Sequence, residues 1–142
     1  MATTRTASTH WEGDLMEGAG QVSLESSGIG TFDVTWPARA EAPNGKTSPE
    51  ELIAAAHSTC YSMSLALGLA KAGTPPTTLD TTADVTFQPG TGITGVALRV
   101  VGSVPDITAE QFEEAAQTAK EACPVSKALA AVPITLEVQF AD

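Results

Sequence analysis

An α+β fold, with antiparallel sheets wrapped around one long buried helix, is what this 142-residue sequence predicts. Three observations predict it. Short alternating stretches separated by glycine-containing breaks fill the first 36 residues, a capped and nearly all-apolar helix occupies the middle, and a long hairpin, a second helix and a last strand follow. No linker, internal repeat or low-complexity block interrupts the chain, so residues 1–142 read as a single domain, long enough to bury a core.

Residues 1–9 read as a polar tail. Strands are expected at His10–Leu15, Gln21–Glu25 and Thr31–Trp36, with breaks at Glu17–Gly20 and Ser26–Gly30; Phe32, Val34 and Trp36 alternate with Asp33 and Thr35 as a half-buried strand requires. Breaks this short predict an antiparallel meander. Pro37 ends the third strand, and Ala38–Lys46 reads as a loop that carries Arg39. Ser48 is then a good N-cap, Pro49 fits the first helical position, and Glu51 stands where a capping box places its carboxylate. The helix runs to about Ala72, where Gly73, Pro75 and Pro76 stop it. Its residues are apolar on nearly all sides, so burial is expected. Leu79–Phe87 and Ile93–Val104 form a hairpin about the Gln88–Gly92 turn. Thr108 caps a second helix ending at Ala122, Cys123-Pro124 breaks it, and a short helical piece over Pro124–Ala131 precedes a last strand over Ile134–Phe140.

Acidic residues outnumber basic ones 17 to 7, for a net charge of −10, a field that repels nucleic-acid phosphates and anionic lipid surfaces. The first ten residues lack the apolar core of a secretory signal, and no later run reads as a membrane span. A cytoplasmic protein without nucleic-acid or membrane partners is expected. Two cysteines in a reducing compartment are not expected to be a structural staple; if they pair, a transient, catalytic pairing is expected.

Cys60 sits in the long helix, where a free cysteine is either core packing or the seat of chemistry; burial alone raises its pKa and leaves it inert. Cys123 precedes Pro124 at a helix start, where free amides favour a thiolate, so local electrostatics make it the readier thiol. To be activated, Cys60 needs a cation from elsewhere. Arg39 is the natural supplier, and a buried guanidinium needs a carboxylate to hold it. Glu51 is expected to fold back on the Ser48 amide, which leaves Glu50 to orient Arg39; alternatively, both glutamates only complement the helix dipole. Ten residues separate Glu50 from Cys60, ~15 Å of helical rise and about 80° short of whole turns. On one straight helix they cannot touch. Either the helix breaks or the pair comes from a second copy of the chain, and the apolar helix favours a homodimer with sites between copies. His57, three residues before Cys60, either faces it as a base or is a structural histidine. The cysteines and histidines lack ligand-type spacing for zinc.

Ser48-Pro49-Glu50-Glu51-Leu52-Ile53-Ala54-Ala55-Ala56-His57-Ser58-Thr59-Cys60, together with Cys123-Pro124-Val125-Ser126, resembles the osmotically inducible protein C and organic hydroperoxide resistance (OsmC/Ohr) family. His10-Trp11-Glu12-Gly13 and Leu79–Val85 extend the likeness and place it nearer the osmotically inducible branch. The resemblance implies an intertwined α+β homodimer and a thiol peroxidase acting on organic hydroperoxides. It makes Cys60 the peroxidatic and Cys123 the resolving cysteine, with Arg39 and Glu50 activating the first; against the local reading, the buried Cys60 then attacks. No flavin, haem or metal cofactor is implied, only an external dithiol reductant such as a dihydrolipoyl group or small thiols. The competing expectation is a non-enzymatic stress protein whose apolar space near Cys60 holds a lipid-like ligand.

Overall fold

A computed structural model describes residues 1–142 and divides them into two units, Met1–Leu52 and Ile53–Asp142, whose boundary falls inside the long helix. Its elements make an α+β fold with one antiparallel and one mixed sheet.

In the first unit, β1 (Ser8–Glu12), β2 (Ala19–Ser23) and β3 (Thr31–Val34) form the expected antiparallel meander in the order β1-β2-β3. Each strand is shifted or shortened relative to the sequence reading. The first begins at Ser8, inside the expected tail, and stops before Leu15 because the Asp14 side chain accepts from the Glu17 N–H at 2.7 Å and its carbonyl from the Gly18 N–H at 3.0 Å, closing a turn. Opposite Trp11 stands Gly20, where an added Cβ would come within 2.7 Å of the indole and 2.6 Å of the His10 carbonyl. Only glycine fits.

The third strand ends at Val34 rather than Trp36. Thr35 caps a short helix, α1 (Trp36–Ala40), its hydroxyl accepting from the Ala38 N–H at 3.2 Å with Pro37 in the first turn. Arg39 therefore lies in a helical last turn and not on a loop. The Thr47 N–H then bonds the Asp33 carbonyl at 3.2 Å beside a Val34–Thr47 bridge, fixing where the next helix begins.

That helix, α2 (Pro49–Lys71), is unbroken. Its cap is half of the expected box: the Glu51 N–H donates to Ser48 Oγ at 3.1 Å, but the Glu51 carboxylate accepts from the Thr47 hydroxyl at 2.6 Å instead of reaching back to Ser48. At its far end Gly73 takes φ +85°, and the Thr74 N–H bonds the Leu69 carbonyl at 2.9 Å.

The second unit contains the hairpin β4 (Thr78–Gln88) and β5 (Gly92–Ser103), then α3 (Ala109–Ala122), α4 (Pro124–Ala128) and β6 (Ile134–Phe140). Both bonds of the Thr108–Gln111 capping box form at the start of α3. The last strand pairs parallel with β5, so this sheet is mixed and not wholly antiparallel. The two helices between β5 and β6 carry the chain back to the end from which β5 started, which is what a parallel neighbour requires. Tyr61, Leu65 and Leu69 of α2 pack with Val96, Leu98 and Val100 of β5, with Phe112, Ala116 and Ala119 of α3, and with Cys123. Each large apolar side chain in this core contributes on the order of 2 kcal/mol.

Burial of α2 on nearly all sides does not occur within the chain. The stripe His57, Tyr61, Leu65 and Leu69, spaced every four residues, is buried, whereas Met63 and Leu67 are 67% and 56% exposed. A helix packed on a sheet and one neighbouring helix covers only part of its circumference. By length and composition alone this 23-residue helix could also cross a membrane, contrary to the sequence reading. Its stripe of Tyr61, Leu65 and Leu69 packs into the core of the second unit.

Candidate active site

The candidate side chains fall into two groups, one in each unit. In the first unit, the Thr35 cap sets the axis of α1 and so the direction of Arg39, while Ser48 and Pro49 place Glu50 in the first turn of α2. Arg39 Nε donates to Glu50 Oε1 and Oε2 at 3.0 and 3.2 Å, and Nη2 donates to Oε2 at 2.8 Å. This two-pronged contact fixes the guanidinium plane as a single ammonium contact would not. Glu50 is 7% exposed. The Trp36 ring lies 6.0 Å from Arg39 Cζ, a second restraint through its π face. Arg39 also lines an apolar cavity of about 380 Å³ with Trp11, Leu15, Val22, Val34 and Trp36. The carboxylate that holds Arg39 is therefore Glu50, and Glu51 is taken up by Thr47.

In the second unit, α2 delivers Cys60 and the junction of α3 and α4 delivers Cys123. Both are free thiols, Cys60 half-buried and Cys123 buried. The Cys123 N–H closes α3 on the Ala119 carbonyl at 2.9 Å, and Pro124 restricts Cys123 to an extended conformation (φ −58°, ψ 122°), which ends one helix and starts the next. Tyr61 donates to the Ala116 carbonyl at 2.8 Å and Ser62 to Thr81 Oγ1 at 2.8 Å, so α2 is fixed against both α3 and β4 just after Cys60. Burial holds the Tyr61 phenol well above its usual range, with Glu113 and Cys123 adding to the effect, so it remains a neutral donor.

The two thiols act electrostatically on one another, and their environments separate them. Burial pushes Cys60 up, helped by its neighbour Cys123 and only partly offset by the Val125 amide and the Ser64 hydroxyl. Burial also acts to raise Cys123, but the Ser126 amide, the Cys60 thiol, the Ser126 hydroxyl and the Val125 amide together bring it below its ordinary value. The Cys123 sulfur makes no capping hydrogen bond of good geometry, so these amides act on it chiefly through their field. Within the second unit Cys123 is thus the readier thiol, as its position before Pro124 implies.

His57 is fully buried, and its Nε2 lies 2.8 Å from Ser126 Oγ. Its partner is this serine of α4; the groups that shift Cys60 are Val125, Cys123 and Ser64. Ser126 escaped the sequence reading because 69 residues separate the pair. The shared spacing was the available signal: His57 stands three before Cys60, and Ser126 three after Cys123. Trp36 reads in the sequence as the end of a half-buried strand, and its place beside Arg39 follows only from the helix capped by Thr35. No group of three or more His, Cys, Asp or Glu side chains is placed to hold a metal ion.

The family model described as OsmC-like protein matches residues 42–137. Over 134 residues, 92% of each chain, the sequence is 46% identical to a protein of Escherichia coli strain K12 called Peroxiredoxin OsmC. Among solved structures it resembles the organic hydroperoxide resistance protein OhrB of Bacillus subtilis, at 25% identity and a TM-score of 0.71 over 94% of this chain and 98% of that one. An organic hydroperoxide resistance protein OsmC from Legionella pneumophila shares the fold, with a TM-score of 0.75, 22% identity and 98% of both chains covered.

Proposed function

The chain belongs to the OsmC-like family, and from that membership we propose that it is a cysteine-based peroxidase that reduces organic hydroperoxides to alcohols, and hydrogen peroxide more weakly. The observation that carries this reading is the contact between Cys60 and Cys123, two free thiols brought together from α2 and the α3–α4 junction. Both the Escherichia coli and the Bacillus subtilis relatives carry names of peroxide chemistry.

In the proposed cycle, the Cys60 thiolate attacks one peroxide oxygen. The S–O bond forms as the O–O bond breaks, and the alkoxide leaves with the electron pair and is protonated to the alcohol. Cys60 is now a sulfenic acid. The Cys123 thiolate attacks its sulfur, an S–S bond forms, and hydroxide departs and takes a proton to become water. An external dithiol, such as a dihydrolipoyl group or small thiols, returns two electrons. The scheme uses no flavin, haem or metal.

Burial opposes the first step by raising Cys60, and a guanidinium at close range reverses that effect because a full charge outweighs partial ones. We assign this role to Arg39, aimed by Glu50, which also stabilises the departing alkoxide. Since α2 is unbroken between Glu50 and Cys60, the reading takes the Arg39–Glu50 pair from a second copy of the chain. The exposed Met63 and Leu67 on α2 support such a homodimer. The need for a thiol reductant supports a cytoplasmic location for this activity. One equivalent of cumene hydroperoxide added to the reduced protein is expected to yield a Cys60–Cys123 disulfide by mass spectrometry. Recovery of unmodified thiols, or of over-oxidised Cys60 alone, contradicts the cycle.

A further inference from the structure

His57 is a fully buried imidazole that the proposed cycle leaves unused, and its surroundings are unusual. One ring nitrogen, Nε2, lies 2.8 Å from Ser126 Oγ; the other, Nδ1, is buried without a hydrogen-bond partner. A neutral imidazole carries one proton. Burying an unpaired N–H costs more than burying an unpaired lone pair, because orphaned donors lose a stronger interaction with water. The proton therefore belongs on Nε2, which donates to Ser126 Oγ. A second proton on Nδ1 would have no acceptor, and burial already lowers the imidazole pKa, so His57 stays neutral.

Accepting from His57 leaves the Ser126 hydroxyl to donate its own proton onward. Ser126 is 6% exposed and stands three residues after Cys123, in the first turn of α4, where both its amide and its hydroxyl favour the Cys123 thiolate. Without His57 the hydroxyl is free to rotate toward a backbone carbonyl, as serines in a first turn commonly do. Held at 2.8 Å by the imidazole, the hydroxyl stays in the first turn of α4, where it favours the Cys123 thiolate.

We propose that His57 is a positioning residue for Cys123: a donor chain from imidazole N–H to Ser126 hydroxyl to Cys123 sulfur readies that thiol for its attack on oxidised Cys60. This rests on the resolving role given to Cys123 above. It assigns His57 to the second cysteine rather than to the first, its neighbour three residues away on α2. The arrangement supplies an attacking thiolate at a fully buried position. It also keeps the imidazole out of acid–base work, since no proton is exchanged with it. Besides Ser126, the titratable groups that face Cys123 are Cys60 and Tyr61 of α2, with Glu113 of α3 acting on Tyr61.

The test uses C60S as parent, a protein whose single thiol is Cys123, and no peroxide is added. Thiolate formation is followed by ultraviolet absorbance during a pH titration. Adding S126A, or separately H57L, is expected to raise the midpoint by about one pH unit, roughly a tenfold loss of thiolate near neutrality. His57→Gln, whose side-chain amide also offers an N–H, is expected to recover part of the shift, which a purely structural role for His57 would not produce. An unchanged midpoint in the folded S126A protein overturns the proposal, as does one that moves in S126A but not in folded H57L. Because no peroxide is involved, either result stands apart from the fate of the peroxidase reading.

Discussion

The Arg39 and Cys60 regions differ in what each has been given. Around Arg39, a cation is aimed by a buried carboxylate in a two-pronged contact and backed by an indole, next to an apolar cavity with no thiol in its lining. Around Cys60, two thiols meet, and the groups acting on the first are another thiol, an amide and a hydroxyl. The first unit supplies a held cation, and the second supplies two thiols acted on by amides and hydroxyls. The difference teaches that its own surroundings lower the Cys123 thiol whereas those of Cys60 raise it, so on the proposed reading Cys60 takes its activating charge from elsewhere. On the proposed reading, activation of the attacking thiol is coupled to assembly of two chains, and a lone chain holds its peroxidatic cysteine back.

The comparison is broken most severely at the thiols. Cys60→Ser is expected to reduce peroxide consumption to the uncatalysed background, while Cys123→Ser retains a single burst of about one alcohol per chain and then stalls at the sulfenic acid. Equal multiple turnover by both variants, with dithiol present, would remove the asymmetry. Next comes the cation. Arg39→Met is expected to lower kcat/KM for cumene hydroperoxide by about 10²- to 10³-fold, the range for loss of one donor to a developing oxyanion. Glu50→Gln leaves the guanidinium in place but loosens its aim, so a drop of about tenfold is expected. If the glutamine variant were the worse of the two, Glu50 would have a role other than orienting Arg39.

The contrast between the regions also governs what could be read from the sequence. Ser48-Pro49 announced α2 correctly because a helix start is written in adjacent residues. Thr35-Trp36-Pro37 carries the same grammar, yet Phe32, Val34 and Trp36 continue the strand alternation and masked it; the alternation ends where Thr35 turns its hydroxyl to the Ala38 amide. Glu50 was separable from Glu51 by capping logic, although Glu51 found Thr47 rather than the Ser48 amide. The parallel pairing of β6 with β5 and the His57–Ser126 contact were not legible, because each joins segments with no local signature of their partner. The long helix was legible as apolar, but how much of its circumference the chain covers is a tertiary fact. Met63 and Leu67 look no different from Leu65 and Leu69 in sequence.

A smaller effect belongs to His57 and to stability rather than rate. Burial lowers its pKa from the ordinary 6.5, so as pH falls from about 7 to 5 the unfolded chain takes up a proton that the folded chain refuses. Its contribution is complete above 6.5 and is lost on acidification. In chemical unfolding at pH 7.5 and 5.5, His57→Leu is expected to lose less stability between the two values than the parent does. An equal loss in both proteins would place the acid sensitivity elsewhere.

The central claim, that the cation of one copy serves the thiol of another, is tested most directly by mixing two inactive variants. C60S keeps Arg39 and R39M keeps Cys60. Unfolded together in equal amounts and refolded, they form mixed dimers by half, each with one intact site of two, so about a quarter of the parental peroxidase activity is expected to return. Activity no greater than the sum of the separately refolded variants, with mixed dimers confirmed by native mass spectrometry, would contradict the account.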